Sequence, residues 1–310
     1  MADEYDIVIA GAGIAGLTAA TYSARLGRKT LLLTGNVPGG LLLSINRIDG
    51  YPGFPEGVPG YDLCPMAQED AVAAGAELAG GELTEIADQD GNYLLTAGSN
   101  KYLARSLIIA TGARLKTLGV SGEEQFMGRG VSHCASCDAP MLRDRIVAVV
   151  GGGDSALQEA LTLAEAAAEV IILEHGDALT AQPVYQKQVE ENPAVSIRCN
   201  TVVEEILGTD AVTAVRIRDL KADTTAELEV AAVFVYIGLQ PNTDFLQGRL
   251  ALDGSGRIVT DNQLRTQAKG ILAAGIVRVG AAGQAVGSAG DGAAAAKAAD
   301  QYLTNSTWPE

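Results

Sequence analysis

Short apolar runs, several closed by a cluster of glycines, punctuate this chain. Ile7-Val8-Ile9-Ala10 runs into Gly11-Ala12-Gly13-Ile14-Ala15-Gly16, and Val147-Ala148-Val149-Val150 runs into Gly151-Gly152-Gly153-Asp154-Ser155-Ala156. The two segments align residue for residue, Ile7 with Val147. A helical stretch is predicted after each, over 15–26 and 155–168; in the second, Leu157, Leu161 and Ala164 recur at helical spacing. Each leads to another apolar strand, 30–33 or 170–173. Strand, glycine turn, helix and strand in that order make the setting a dinucleotide fingerprint requires. The first glycine makes the tight turn, and the second lets backbone approach a pyrophosphate. The third position, Gly16 or Ala156, lets helix and strand pack closely. The helix N-terminus then faces the phosphates. Two copies predict two dinucleotide sites; the alternative is a doubly wound fold with one site dead.

The rest of the chain keeps alternating. Leu107-Ile108-Ile109-Ala110-Thr111-Gly112 reads as a buried strand ending in a glycine turn, and 212–218 and 227–237 read as strands. Gly238-Leu239-Gln240-Pro241-Asn242 reads as a crossing loop, and Gly270-Ile271-Leu272-Ala273-Ala274-Gly275 as another buried strand. The Ala-rich stretch 289–303 predicts a helix whose leading Gly290-Asp291-Gly292 is placed to approach a ligand closely. The simplest partition inserts a second domain, 116–240, between two parts of a first, 1–115 and 241–310, with 114–119 and 239–243 as the connections.

With 310 residues and 47% hydrophobic positions, the chain can bury two ordinary cores. A net charge of −16 argues against nucleic acid, whose phosphates need clustered Lys and Arg, and against anionic lipid. No apolar run approaches the ~20 residues of a membrane helix. The opening Met1-Ala2-Asp3-Glu4 is acidic, unlike a signal peptide, so the cytoplasm is the default location. The four cysteines are Cys64, Cys134, Cys137 and Cys199. In a reducing compartment the close pair, in Cys134-Ala135-Ser136-Cys137-Asp138, is a redox or metal candidate. A zinc site needs four ligands, and beyond this pair there are only His133 and His175, so redox is favoured and no metal is expected. Redox exchange needs a thiolate to attack and a second thiol to resolve the mixed disulfide, and the next carboxylate, Asp138, can shuttle a proton.

With both glycine turns and the cysteine pair in view, the chain resembles the low-molecular-weight thioredoxin reductases over nearly its whole length. The resemblance rests on Thr34-Gly35, Pro38-Gly39-Gly40, Tyr51-Pro52-Gly53-Phe54-Pro55-Glu56-Gly57, Ala110-Thr111-Gly112, Val131-Ser132-His133-Cys134-Ala135-Ser136-Cys137-Asp138, 151–156 and Tyr236-Ile237-Gly238. It implies an α/β fold of two Rossmann-like dinucleotide-binding domains, the second inserted into the first, and a homodimer. The first domain would hold FAD and the second normally holds NADPH. Carried over, Cys137 faces the flavin, Cys134 is the interchange thiol that meets thioredoxin or another dithiol/disulfide protein, and Asp138 is the acid/base. FAD contacts are expected at Gly11, Gly13, Ala15, Gly16, Thr34, Gly35, Gly39, Gly40, Leu41, Ala110, Thr111, Gly112, Gly275, Ile276, Gln284 and Ala285. The second site would use Gly151, Gly153, Asp154, Ser155 and Glu174.

The departures narrow this. Members using NADPH carry His-Arg-Arg-x-x-x-Arg after the second domain's second strand, where this chain has Glu174-His175-Gly176-Asp177-Ala178-Leu179-Thr180. The arginines that grip the 2′-phosphate are gone, and Glu174 and Asp177 repel a phosphate. Glu174 lies about 20 residues past the turn, where an acid accepts from a ribose 2′-OH. That disfavours NADPH and favours NADH or a second FAD; the bland alternative for Glu174 is a surface carboxylate at a strand end. In the first domain Leu41, Gly50, Ile276 and Gly283 replace the usual Gln, Asn, Asp and Arg, so polar contacts for the ring half of FAD are missing. The chain looks most like the cyanobacterial diflavin-linked disulfide oxidoreductases; ferredoxin-dependent relatives also lack the arginines, but an acidic ferredoxin would be repelled. The expected function is therefore an FAD disulfide oxidoreductase working without NADPH, with one or two FAD per chain. The alternatives are an NADH- or NADPH-dependent thioredoxin reductase and a flavin redox sensor without turnover. Trp308 either covers a flavin or belongs to a mobile tail, 304–310. His133 either lowers the Cys134 pKa or simply packs. Cys64 and Cys199 are expected to be inert, the latter within a strand-like run, 196–203.

Overall fold

The computed structural model describes residues 2–308. The chain opens with β1 (Asp3–Ala10), α1 (Ile14–Arg25) and β2 (Thr30–Leu33). After a loop holding one 3-10 turn, Gly40–Ser44, come α2 (Gly60–Ala73), β3 (Glu77–Ala79), β4 (Leu83–Gln89), β5 (Asn92–Ala97) and β6 (Asn100–Ile109). β7 (Ala113–Leu115) leads to β8 (Val131–Ser132), the short α3 (Ala135–Asp138), β9 (Ile146–Val150), α4 (Asp154–Ala164), β10 (Glu169–Leu173), α5 (Pro183–Glu190) and β11 (Val195–Arg198). Four more strands follow: β12 (Thr201–Gly208), β13 (Val212–Asp219), β14 (Thr224–Glu229) and β15 (Ala232–Val235). The chain then returns through β16 (Leu239–Pro241), which pairs with β7, and ends in β17 (Ile271–Ala273) and α6 (Ala285–Asn305). Two compact units result, Leu115–Leu239 and the two segments flanking it.

The first unit is built on a sheet in the order β3-β2-β1-β6-β5-β4, with β17 also on β6. β1 runs parallel to β2 and β6, pairing Ile9 with both Leu32 and Ile108. Both faces are covered where the strands run buried, which is why Ile7–Ala10, Leu31–Leu33 and Leu107–Ile109 are apolar at every position. Val8, Leu31, Leu33, Leu107 and Ile109 fill one face; Ile7, Ile9, Leu32, Ile108 and Leu272 fill the other, under α1 and α6. The two helices pack through small residues, Ala19, Ala20, Ala295 and Ala299, all fully buried.

The second unit repeats the plan with the parallel order β11-β10-β9-β15-β8. One face, Val147, Val149, Val170, Ile172 and Phe234, packs on Ala156, Leu157, Ala160 and Leu163 of α4. The other packs on an antiparallel sheet, β12-β13-β14.

Four element predictions change. Helix α4 stops at Ala164, short of 168, because the Ala168 N–H is taken by Arg145 O at 2.9 Å and drawn toward β10. The 227–237 run is two strands: Val230 N bonds Thr213 O, but Ala231 N bonds Ile146 O, so the chain switches sheets there. The 196–203 run breaks at Cys199-Asn200, where Asn200 takes φ 54°. Helix α6 begins at Ala285, so Gly290-Asp291-Gly292 lie inside it. Gly292 faces α1, where a Cβ would sit 2.1 Å from Ala15 O, rather than a ligand.

Candidate functional site

In the first unit, β1 delivers the chain to Gly11 at φ 107°, where a Cβ would stand 2.4 Å from Ala110 O. A Cβ on Gly16 would stand 1.8 Å from Gly11 O, so α1 can lie this close only with glycine there. Gly13 is the opposite case: its Cβ position meets nothing within 4 Å, which leaves open space at the N-cap of α1. Gly39 donates to Ala12 O at 2.8 Å, bringing Gly40 beside Gly13. Ala110 donates to Ala10 O, and the Thr111 hydroxyl donates to Asn242 O at 2.8 Å. Gly275 lies against Ala15, where an added Cβ would be 2.9 Å from the Ala15 Cβ. Ile14, Leu42 and Ala285 share one apolar cluster, which gathers the starts of α1 and α6 and the turn carrying Leu41. Thr34 and Gly35 end β2 and are tied back to Ala79 and Gly81. Gly112 follows β6, Ile276 is half-buried after β17, and exposed Gln284 caps α6 without a side-chain hydrogen bond.

In the second unit, Cys134 and Cys137 form a disulfide across α3. Cys134 is half-buried and Cys137 exposed. The Cys134 N–H donates to Ser132 Oγ at 3.1 Å, and Ser136 Oγ lies 3.6 Å from Cys134 Sγ. His133 is hydrogen-bonded through Nδ1 to Val235 O at 3.0 Å. Asp138 closes α3.

The second glycine turn stands nearby in the same unit. Gly151 takes φ 123°, and a Cβ there would be 2.2 Å from Tyr236 O. Glu174 is only 3% exposed, which removes the surface-carboxylate reading. Its Oε1 accepts from Gly176 N at 2.7 Å and faces His175 Nδ1 at 2.8 Å. Its Oε2 would lie 2.6 Å from a Cβ on Gly152. Gly152 O accepts from Thr180 N and Ala181 N at 2.9 and 3.0 Å, so the loop after β10 folds onto the turn. Asp154, in the first turn of α4, accepts from Gln182 N at 2.7 Å and Nε2 at 2.6 Å. Gly153 has nearly open space and Ser155 is exposed.

A pyridine nucleotide-disulphide oxidoreductase family model matches residues 5–299. The thioredoxin reductase of Treponema pallidum is 39% identical over 303 residues, covering 98% of each chain. The chain belongs to this family, in its thioredoxin reductase branch. Among solved structures, Lactococcus lactis thioredoxin reductase superposes with a TM-score of 0.93 at 36% identity, covering 97% of this chain and 99% of that one. T. acidophilum thioredoxin reductase gives 0.91 at 33% identity, covering 96% and 98%. This thioredoxin reductase-like chain is thus a flavoprotein disulfide oxidoreductase with two Rossmann-like domains.

The residues present fit FAD unevenly. Open space at Gly13 beside Gly40, at the uncapped start of α1, suits a pyrophosphate. The ring half has no polar side chain at Leu41, Gly50, Ile276 or Gly283. Near Ile276, Asp291 accepts from Gly275 N at 3.0 Å and is paired with Arg278. Bound there, FAD would supply two-electron redox chemistry.

Sequence reasoning did not anticipate the Asp291 carboxylate against Gly275, the Ser136 hydroxyl beside Cys134, or the buried side-chain oxygens of Glu159 and Tyr236. Only Ser136 had a local signal, its place between the cysteines. Burial pushes the Glu159 carboxyl up to about 7 against the pull of the Ala135 N–H. The mobile-tail reading of Trp308 is corrected: its Nε1 donates to Thr266 O at 3.2 Å and its ring meets Tyr302 edge-on at 5.2 Å; Pro309 and Glu310 lie outside the described residues. Cys64 is buried and its thiol pushed up to about 11 by burial, while Cys199 sits in a turn. Among the described residues no three His, Cys, Asp or Glu gather as a metal site, and no helix is long and apolar enough to cross a membrane.

Proposed function

We propose that this chain is an FAD disulfide oxidoreductase that passes electrons between flavin, the Cys134–Cys137 pair and a thioredoxin-like or other dithiol partner without taking hydride from NADPH. The observation that carries the reading is the pair of carboxylates bracketing the second glycine turn. Glu174 is buried against Gly152, and Asp154 stands in the first turn of α4. At an effective dielectric of ~20, two unit charges ~4 Å apart repel by about 4 kcal/mol. A 2′-phosphate brought beside Glu174 meets that repulsion, with no arginine in 174–180 to offset it. The cradle in the first unit holds FAD, and the second turn takes an unphosphorylated adenosine, that of a second FAD. Cys134 meets the partner, Cys137 the flavin, and Asp138 moves the proton. The working unit is a cytoplasmic homodimer; exposed Tyr61 and Met66 on α2 are apolar surface for a second copy.

Anaerobic rapid mixing with NADPH, followed at the flavin absorbance, tests this. Unchanged absorbance over seconds is expected, and fast bleaching sinks the reading. Flavin released per chain on denaturation counts the cofactors. A second reading, NADH as donor, is favoured by the place of Glu174 at the strand end beside the turn, where a carboxylate accepts from a ribose hydroxyl. Bleaching by NADH alone selects it. A sensor without turnover is excluded by steady-state exchange with a dithiol protein.

A further inference from the structure

Cys134 immediately precedes α3 and holds an extended conformation, φ −134° and ψ 93°. From that place a side chain lies over the first turn of the helix, beside the residues two and three positions on. The third is Cys137, which closes the disulfide. The second is Ser136, whose Oγ lies 3.6 Å from Cys134 Sγ. Sulfur is larger than oxygen and a weak acceptor, so a hydroxyl donates to it at longer range than to another oxygen. The direction of this bond is fixed by the chemistry of the pair. A disulfide sulfur has no proton to give, so Ser136 is the donor and Cys134 Sγ the acceptor.

The scaffold holds this contact from both sides. Ala135 and Ala139 are buried in one cluster with Ala156, Leu157 and Ala160 of α4. The Cys134 N–H donates to Ser132 Oγ at 3.1 Å, which fixes the backbone just ahead of the turn. Cys134 and Ser136 are both half-buried. The other polar groups around α3 are engaged elsewhere or joined to neither sulfur. His133 spends Nδ1 on Val235 O at 3.0 Å. On α4, Asp154 is held by Gln182, and Glu159 Oε2 is buried without a hydrogen-bond partner. Tyr236 Oη, after β15, is likewise unpartnered. Asp138 closes α3, and Arg143 is exposed after the next turn. Among the described residues, the Ser136 hydroxyl is the side-chain group hydrogen-bonded to either sulfur of the pair.

We propose that Ser136 is a catalytic residue of the disulfide exchange: its hydroxyl donates to Cys134 Sγ and steadies that sulfur as the thiolate once the pair is reduced. A disulfide sulfur is neutral and accepts weakly, whereas a thiolate carries a full negative charge. The same hydrogen bond is therefore stronger in the charged state, since charge-assisted bonds are roughly twice as strong as neutral ones. Partial burial removes some of the water that would compete for it. Only the thiolate attacks. Its sulfur bonds to one sulfur of the partner's disulfide, that disulfide breaks, and the partner's other sulfur leaves as a thiolate. The Cys137 thiolate then attacks Cys134 Sγ and breaks the mixed disulfide, so two electrons pass to the partner. The two thiol protons reach the partner's sulfurs through solvent, and Ser136 keeps its own. A dithiol partner runs the same bonds in reverse.

The proposal rests on Cys134–Cys137 being the redox pair, and its test needs neither nicotinamide nor partner. Flavin-loaded protein is reduced with excess dithiothreitol and freed of it under argon, so that the pair stays a dithiol. Iodoacetamide is then added across the range from about pH 5.5 to 10.5; thiolate displaces iodide and forms an S–C bond. The rate at Cys134 is read by fragment-resolved peptide mass spectrometry. S136A should move the Cys134 inflection up by about one pH unit, a loss of thiolate of about tenfold below it. The more basic thiolate is also the better nucleophile, by about threefold per pH unit. S136A should therefore alkylate about threefold slower than wild type on the acid side of both inflections and about threefold faster on the alkaline side, so that the profiles cross. A purely structural role would not produce that crossing. S136T keeps the hydroxyl and should retain the wild-type profile, whereas S136V, its match in shape, should follow S136A. Superimposable profiles for wild type and S136A, or an inflection that moves down, overturn the proposal. If S136A does not fold, coincident S136T and S136V profiles overturn it. A folded protein whose pair resists dithiothreitol overturns the redox reading itself.

Discussion

The guanidinium of Arg278 and the carboxylate of Asp291 meet through two hydrogen bonds of 2.7 Å, and Asp291 Oδ2 also accepts from Gly275 N at 3.0 Å. Their side chains are 15% and 14% exposed, so each depends on the other for its missing solvent. Breaking such a pair from one side leaves an unpaired buried charge and costs about 3 kcal/mol or more. D291A is therefore expected to lower the melting temperature by several degrees and to weaken flavin retention, since Gly275 loses its anchor. The apolar double variant R278M/D291L should recover most of the stability but not the retention. Thermal unfolding by circular dichroism and free flavin by ultrafiltration check both.

At the α1–α6 crossing, a Cβ on Gly292 would sit 2.1 Å from Ala15 O and 3.0 Å from Ala19 N. Neither backbone atom can step aside without parting the helices. G292A should destabilise the first unit by about 1–3 kcal/mol, the usual cost of overpacking, and release flavin earlier on heating. G290A, a position with open space, is the matched control and should change little.

The proposed discrimination against NADPH should be reversible at its electrostatic source. The variant E174H/H175R/G176R/T180R restores the cationic pattern and removes the buried carboxylate from beside Gly152. It should gain NADPH binding of at least tenfold, detected as quenching of flavin fluorescence or as flavin bleaching. Glu174→Gln alone removes only the repulsion and should gain less.

Burial raises the Glu159 carboxyl from 4.5 to about 7 in the folded chain. The folded state thus holds a proton that the unfolded state releases above pH ~4.5. The contribution of Glu159 to stability is fully present below that pH and is lost as pH rises through 7, by on the order of 3 kcal/mol if the whole shift is realised. E159Q has no such proton to lose. Its melting temperature should change less between pH 5 and pH 8 than that of wild type.

The two strand–glycine–helix units were legible because their requirements are local. Gly11 and Gly151 sit at φ 107° and 123°, which side chains rarely adopt, and both-face burial makes the Ile7–Ala10 end of β1 and all of β9 apolar. The cysteine pair was legible for the same reason, since three residues of spacing suffice to close its loop. Element ends were less so. Helix α4 stops where Arg145 O captures Ala168 N, and the 227–237 run divides where Ala231 changes partners from one sheet to another. Neither partner is near in sequence.

Of this protein, the sequence alone determined the repeated nucleotide-binding plan, the paired sulfurs and the missing arginines. Tertiary structure decided the state of each charged group around them. Glu174 is buried rather than solvated, Asp154 is engaged by Gln182, Asp291 is locked to Arg278, and Glu159 Oε2 is buried without a hydrogen-bond partner. The reason is physical: backbone conformation and apolar periodicity are written in neighbouring residues. The electrostatic character of a side chain depends on which distant groups packing brings against it and on how much water that packing removes.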